Sequence, residues 1–169
     1  MVQELVDLRA SIAAGCYEDA LAIIDDLEGM SKQAIIRNIE SFLIRMIVHL
    51  VKNQVEQRLT NSWAASIADS LRQINKLNLK DNKKSYYIKE NEWLPYLEEA
   101  LEAAIIEASI EVRGGIYNSV QLKELVNGEE IMATAQKFLD LTYVYSGREL
   151  LSIIQANFAE LPGGETWQK

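Results

Sequence analysis

Apolar residues recur at helical spacing along most of the chain, and helix breakers are rare. Leu5, Leu8 and Ile12 predict a helix over 2–13, with Gly15 as its stop. Ala20, Leu21, Ile23, Ile24 and Leu27 predict a second over 18–27, ended by Gly29. Ser31 is placed to cap a third, because its hydroxyl can accept a bond from an unpaired backbone N–H of the first turn. That helix, over about 32–58, carries the strongest periodic signal: Ile35, Ile36, Ile39, Phe42, Leu43, Met46, Ile47 and Leu50. Trp63, Ile67, Leu71, Ile74 and Leu77 define a fourth, opened by Thr60-Asn61-Ser62.

The stretch 78–91 breaks the pattern. Asp81, Asn82, Lys83, Lys84 and Ser85 make it a surface connection, with Tyr86, Tyr87 and Ile88 able to pin its middle. Connections this long are uncommon unless mobile or functional. The helical period returns over 92–112, where Leu97, Leu101, Ala104, Ile105 and Ala108 face inward. Pro95 is tolerable in the first turn, and Gly114-Gly115 is the stop. Shorter helices follow over 120–126, 129–145 and 148–161, and Pro162-Gly163-Gly164 begins a tail. The expected fold is all-α: a bundle of six or seven helices around the long central one. Its core is expected over 1–112, with 113–161 as a C-terminal helical extension packed on it and 162–169 as the tail.

A length of 169 residues, 49% of them hydrophobic, suits one ordinary folded domain. The lone Cys16 excludes an intramolecular disulfide and any thiolate cluster. The lone His49 excludes metal motifs that need two imidazoles, so no metal or cofactor is expected. The longest apolar run, 42–51, is interrupted by Arg45 and His49, so no membrane span is expected. The first residues carry Glu4 and Asp7 where a secretory leader needs a basic start, and a reducing cytoplasm is the expected location. A net charge of -8 argues against nucleic-acid binding by the whole surface and leaves room only for a local basic strip.

Five pieces stand in a recognisable order. They are Leu8-Arg9 with the run 14–21 (Ala-Gly-Cys-Tyr-Glu-Asp-Ala-Leu), then 24–32, Met46-Ile47-Val48-His49-Leu50-Val51-Lys52, Ser62-Trp63-Ala64-Ala65-Ser66-Ile67, and Leu94-Pro95-Tyr96-Leu97-Glu98-Glu99-Ala100-Leu101. In that order the chain resembles the bacterial domain-of-unknown-function family numbered 29, frequent in cyanobacteria, over about residues 1–112. The family usually opens with a longer helix bearing Tyr, Asp and Trp; here Leu5, Asp7 and Leu8 stand in that region. The resemblance implies an all-helical fold and carries no established activity and no catalytic residues.

Candidate chemistry gathers on the long helix. His49 falls about 90° from the centre of its apolar face, where a half-buried ring bonded to a nearby backbone group is expected. Arg45, four residues earlier, should lower its pKa, and no carboxylate stands three or four residues away to orient it. No hydrolase activity is therefore expected from His49. Beyond Leu50, Asn53, Gln54 and Gln57 take over angles that were apolar. Either this end of the helix projects past the core, which is the commoner arrangement, or His49, Asn53, Gln57 and Trp63 line a polar pocket. Arg45 and Lys52 stand one heptad apart and form, with Arg58, a strip suited to phosphates or an acidic partner. Glu40 and Glu56 on the same helix favour a solvated, partly paired face instead. Cys16 reads as a small packing residue.

These features fit a non-enzymatic protein-interaction or regulatory module, working with a protein partner or as a homodimer. One alternative is a nucleic-acid-associated protein using Arg45, Lys52 and Arg58. Another is a small-ligand-binding bundle with a pocket near His49.

Overall fold

The structure is a computed structural model and describes residues 2–167. Among these residues it has seven α-helices: α1 (Val2–Ala13), α2 (Tyr17–Glu56), α3 (Asn61–Asn78), α4 (Leu94–Ala108), α5 (Ser119–Leu125), α6 (Gly128–Val144) and α7 (Gly147–Asn157). Extended pairing among them is limited to one antiparallel bridge, Leu79 with Tyr86. The chain divides into two compact units, Met1–Asn38 and Ile39–Lys169.

The helices expected over 18–27 and 32–58 are one continuous helix, α2. Gly29 does not stop it and Ser31 does not cap it. An interior glycine costs a helix only about 1 kcal/mol relative to alanine, which neighbouring good helix formers outweigh. A glycine ends a helix when the backbone there turns left-handed, as Gly15 does at φ +76° after α1.

In the first unit, α1 and the start of α2 form a hairpin. Its turn is closed by the Cys16 N–H donating to the Ser11 carbonyl at 2.9 Å and the Gly15 N–H to the Ile12 carbonyl at 3.1 Å. Cys16 is exposed in this turn and packs nothing, contrary to its expected packing role. α1 buries none of its residues, and Ala20 is the one buried core residue before Ile39.

The second unit holds the core. Ile39, Leu43, Met46, Ile47, Leu50 and Val51 of α2 are buried, while Phe42 is only half-buried. α3 packs against α6 and α7, α4 against α5 and α6, and α6 against α7. Three asparagines or threonines start these helices. Thr60 accepts from the Trp63 N–H at 3.1 Å, Asn118 and Gln121 cap each other reciprocally, and Asn127 accepts from the Glu130 N–H at 3.2 Å. Each such cap typically stabilises by about 1 kcal/mol.

After α4 the backbone turns left-handed at Arg113, Gly114 and Gly115 (φ +51°, +71° and +79°). A Cβ at Gly115 would lie 2.7 Å from the Ile110 carbonyl oxygen, so this tight turn needs a residue without a side chain. Of the expected tail at 162–169, the described residues 162–167 pack onto the end of the chain before them, and 168–169 lie outside the described residues. Leu161 and Gly164 are buried, and the Trp167 ring stands edge-on to Phe158 with centroids 5.2 Å apart.

The connection between α3 and α4 is pinned through Asn78, which is 1% exposed. Its amide nitrogen donates to the Ile88 carbonyl at 2.8 Å, and its amide oxygen accepts from the Ile88 N–H at 2.7 Å. Tyr143 of α6 donates to the same carbonyl at 2.6 Å and accepts from the Trp93 indole at 2.7 Å. Burial pushes the Tyr143 phenol up to about 12, so its hydroxyl keeps the proton it donates. The tip at 81–84 stays exposed. Asn78→Ala is expected to cost about 1–3 kcal/mol, because the buried Ile88 N–H loses its partner while the Ile88 carbonyl keeps only Tyr143. The same change should speed tryptic cutting at Lys83 and Lys84. Urea melts and timed digests measure both; a protein that loses stability without faster cutting would show that Asn78 does not hold the connection.

Candidate functional site

Lys52 lies near the C-terminal end of α2 with a side chain only 6% exposed, and it forms a salt bridge with Glu111. Its ammonium also stands 5.2 Å from the centre of the Trp63 ring, and the Arg58 guanidinium stands 4.8 Å from the same ring. Trp63 sits there because Thr60 caps α3 and sets the rotation of its first turn. The short turn after α4 brings Glu111 beside α2, and Arg113 adds a bond from its guanidinium to the Val55 carbonyl at 3.3 Å. The Lys52 ammonium bonded to Glu111 holds that carboxyl below its ordinary range. Lys52 is therefore not part of a solvated face. A buried lysine needs a carboxylate and an aromatic face to offset its lost hydration.

Arg45 is separate. It donates to Asp69 of α3 at 2.9 Å, and Arg72 donates to the other oxygen of Asp69 at 2.9 Å. The Arg72 guanidinium, with Arg45 beside it, keeps the Asp69 carboxyl low. Arg58 pairs with Glu56 at 3.1 Å. The three cations of the strip are each matched to a carboxylate, two on other segments and one on α2 itself.

His49 is half-buried, and its Nδ1 is enclosed with no hydrogen-bond partner, so the expected backbone bond is missing at that atom. Burial, then Lys52 and Arg45, push its pKa down to about 4 against the opposing pull of Glu111. The imidazole is neutral at pH 7.

The amides after Leu50 do not project past the core. Asn53 is 2% exposed and donates to the Arg58 carbonyl at 3.0 Å and the Pro162 carbonyl at 2.8 Å. Gln54 exchanges two bonds with the Asn127 backbone, at 3.2 and 2.9 Å. Gln57 is exposed, takes a left-handed φ of +53°, and bonds back to the Gln54 carbonyl at 2.7 Å. Trp63 is gathered with Lys52 and Arg58, while Asn53 faces a groove lined by Leu50, Gln54, Glu130, Ile131 and Pro162. That groove takes in neither His49, Gln57 nor Trp63. The partners Glu111, Asp69 and Pro162 lie far away in sequence, and no helical spacing on α2 could have named them. Among the described residues no three metal-binding side chains converge, and no helix is long and apolar enough to cross a membrane.

The His49 shift has a signed consequence. The folded pKa of about 4 lies below the 6.5 of an unperturbed imidazole. Its contribution to stability is complete above pH ~6.5 and is lost as pH falls toward ~4, because only the unfolded chain takes up the proton. With solvent screening at a half-buried ring, the loss should be about 1–2 kcal/mol. His49→Gln should flatten the stability profile in that window, leaving the later fall from Asp69 and Glu111. Urea melts between pH ~7 and ~4.5 test this; parallel profiles for the two proteins would contradict it. Lys52→Met should raise the His49 pKa by removing a neighbouring cation, read directly by NMR from the single imidazole.

The family model described as Domain of unknown function DUF29 matches residues 17–142. The match begins with α2 and runs through most of α6, further along the chain than the five sequence pieces reach. Searches of the curated proteins and of the solved structures gave no match. With a family match over most of its length and an all-helical fold, the chain belongs to the DUF29 family of unknown function.

Proposed function

We propose that this chain is a non-enzymatic protein-interaction module that works through its N-terminal hairpin. The observation that carries this reading is the mismatch between apolar content and burial in that hairpin. Eight of the fifteen exposed large hydrophobic residues lie between Val2 and Met30, while Ala20 alone is buried there. Soluble proteins rarely leave such surface together unless something docks on it. The rest of the chain supports the reading by satisfying itself. Arg45, Lys52 and Arg58 are spent on carboxylates, and Asn53 and Gln54 on backbone groups. His49 is neutral, flanked by cations, and has no carboxylate bonded to its Nδ1.

The test uses the full chain and two variants against proteins of its native cell. Leu21→Glu with Ile24→Glu should abolish association by placing charge on the hairpin surface. His49→Gln should fold and associate as the parent does. Association that survives the double change and fails with His49→Gln would reverse the assignment. A hydrolytic turnover lost with His49→Gln in a folded protein would end the non-enzymatic reading.

A further inference from the structure

Five of the eight exposed large apolar residues of the hairpin fall on one common side; Val2 and Val6 fall toward the back of α1, and Met30 on the other flank of α2. On α1 the half-buried Leu8 and Ser11 mark the face turned toward α2. Leu5 and Ile12, 46% and 51% exposed, follow about 90° further round in the direction of increasing residue angle. On α2 the inward face is marked by Ala20, Ile23 and Leu27. Tyr17, Leu21 and Ile24 follow about 90° further round in the same sense, with Tyr17 66% and Leu21 59% exposed. A three-residue turn joins the helices, and in an antiparallel pair equal rotations in the same sense bring both sets to the same side. The result is a two-helix apolar face made of Leu5, Ile12, Tyr17, Leu21 and Ile24.

The excess of acidic charge is placed elsewhere. Residues 1–38 carry seven carboxylates and three cations, half of the chain's net charge of -8. By the same rotation Asp7, Asp19 and Asp26 fall on the opposite side, and Asp25 and Glu18 fall at the back of α2. Glu28 and Lys32 stand at the end of the apolar side, one of each sign, and Arg9 borders it on α1. A basic partner would find its complement on the other side of the hairpin. The apolar side offers instead a pair of helices whose few charges nearly balance, which fits another of its kind.

We propose that this face pairs with the same face of a second copy of the chain, closing a four-helix bundle about a two-fold axis. The proposal rests on the interaction reading above and names its partner. A two-fold axis makes one patch complementary to itself, and two antiparallel helix pairs packed face to face are a common bundle arrangement. Two α-helices of about 18 Å side by side, with the stripe continued by the half-buried Ile35, offer on the order of 600–800 Å² per copy. A standard interface takes ~800 Å² from each partner, so association in the micromolar range is expected. The acidic sides then point outward, and the remaining repulsion falls as salt rises.

Sedimentation of the full chain between about 1 and 100 µM tests this. The expected result is a shift from one-chain to two-chain mass, with a larger two-chain fraction at higher salt. Leu21→Glu with Ile24→Glu, and separately Leu5→Glu with Ile12→Glu, should each hold the chain at one-chain mass. All three tryptophans, Trp63, Trp93 and Trp167, lie in the other compact unit, so unchanged tryptophan fluorescence shows that unit still folded. One-chain mass at every concentration overturns the proposal. So does a two-chain mass that survives both double changes, or an association that weakens with salt. A one-chain parent that still captures a cell protein through Leu21 and Ile24 removes the second copy and leaves the interaction reading standing. A one-chain parent that captures nothing removes both.

Discussion

The fold depends on finding partners for polar groups that its helices carry into the interior. The Tyr143 hydroxyl is the clearest case. It accepts from the Trp93 indole, donates to the Ile88 carbonyl and receives a bond from Asn78 at 3.1 Å. One oxygen thereby ties α6, the end of α3, the following connection and the residue before α4. Asn53 does the same work at the end of α2, where it holds both the α2–α3 turn and the C-terminal segment. A buried amide or phenol left unpaired costs about 1–3 kcal/mol, so each of these groups fixes one arrangement of its neighbours. The apolar stripes bring the helices together; these few bonds decide where the connections lie.

The same principle explains what was legible in the sequence. Helix periods located every helix, and α1 was bounded to the residue, because its stop is a glycine that truly turns left-handed. The start of α3 at Thr60 was readable because a cap is a local device. The break assigned at Gly29 was wrong because a glycine is only a weak helix penalty unless the backbone leaves the helix there. The polar end of α2 was misread as projecting for a different reason. Its amides are satisfied by Pro162 and Asn127, more than seventy positions away, and such partners leave no periodic trace. The low pKa of His49 was foreseen in direction from Arg45, yet burial is its largest cause and Lys52 comes before Arg45. The three cations read as one strip are split between two sites, because Asp69 draws Arg45 to the outer side of α3 while Trp63 gathers Lys52 and Arg58.

What stands uncovered in residues 2–38 is apolar. In the unit from Ile39 onward, large side chains such as Trp93, Leu97, Phe138 and Ile154 are almost wholly buried. In residues 2–38 the same kinds of side chain stand open, although the sequence there keeps a helical period. Isolated helices shorter than ~12–15 residues are marginal in water, and α1 has 12 residues with none buried. Its order depends on packing rather than on propensity. The turn at Gly15 brings two half-satisfied amphipathic helices together and leaves each with an uncovered flank on the same side. Under the proposed pairing, association at that flank would stabilise α1 itself, and folding of the hairpin and association would be one equilibrium rather than two.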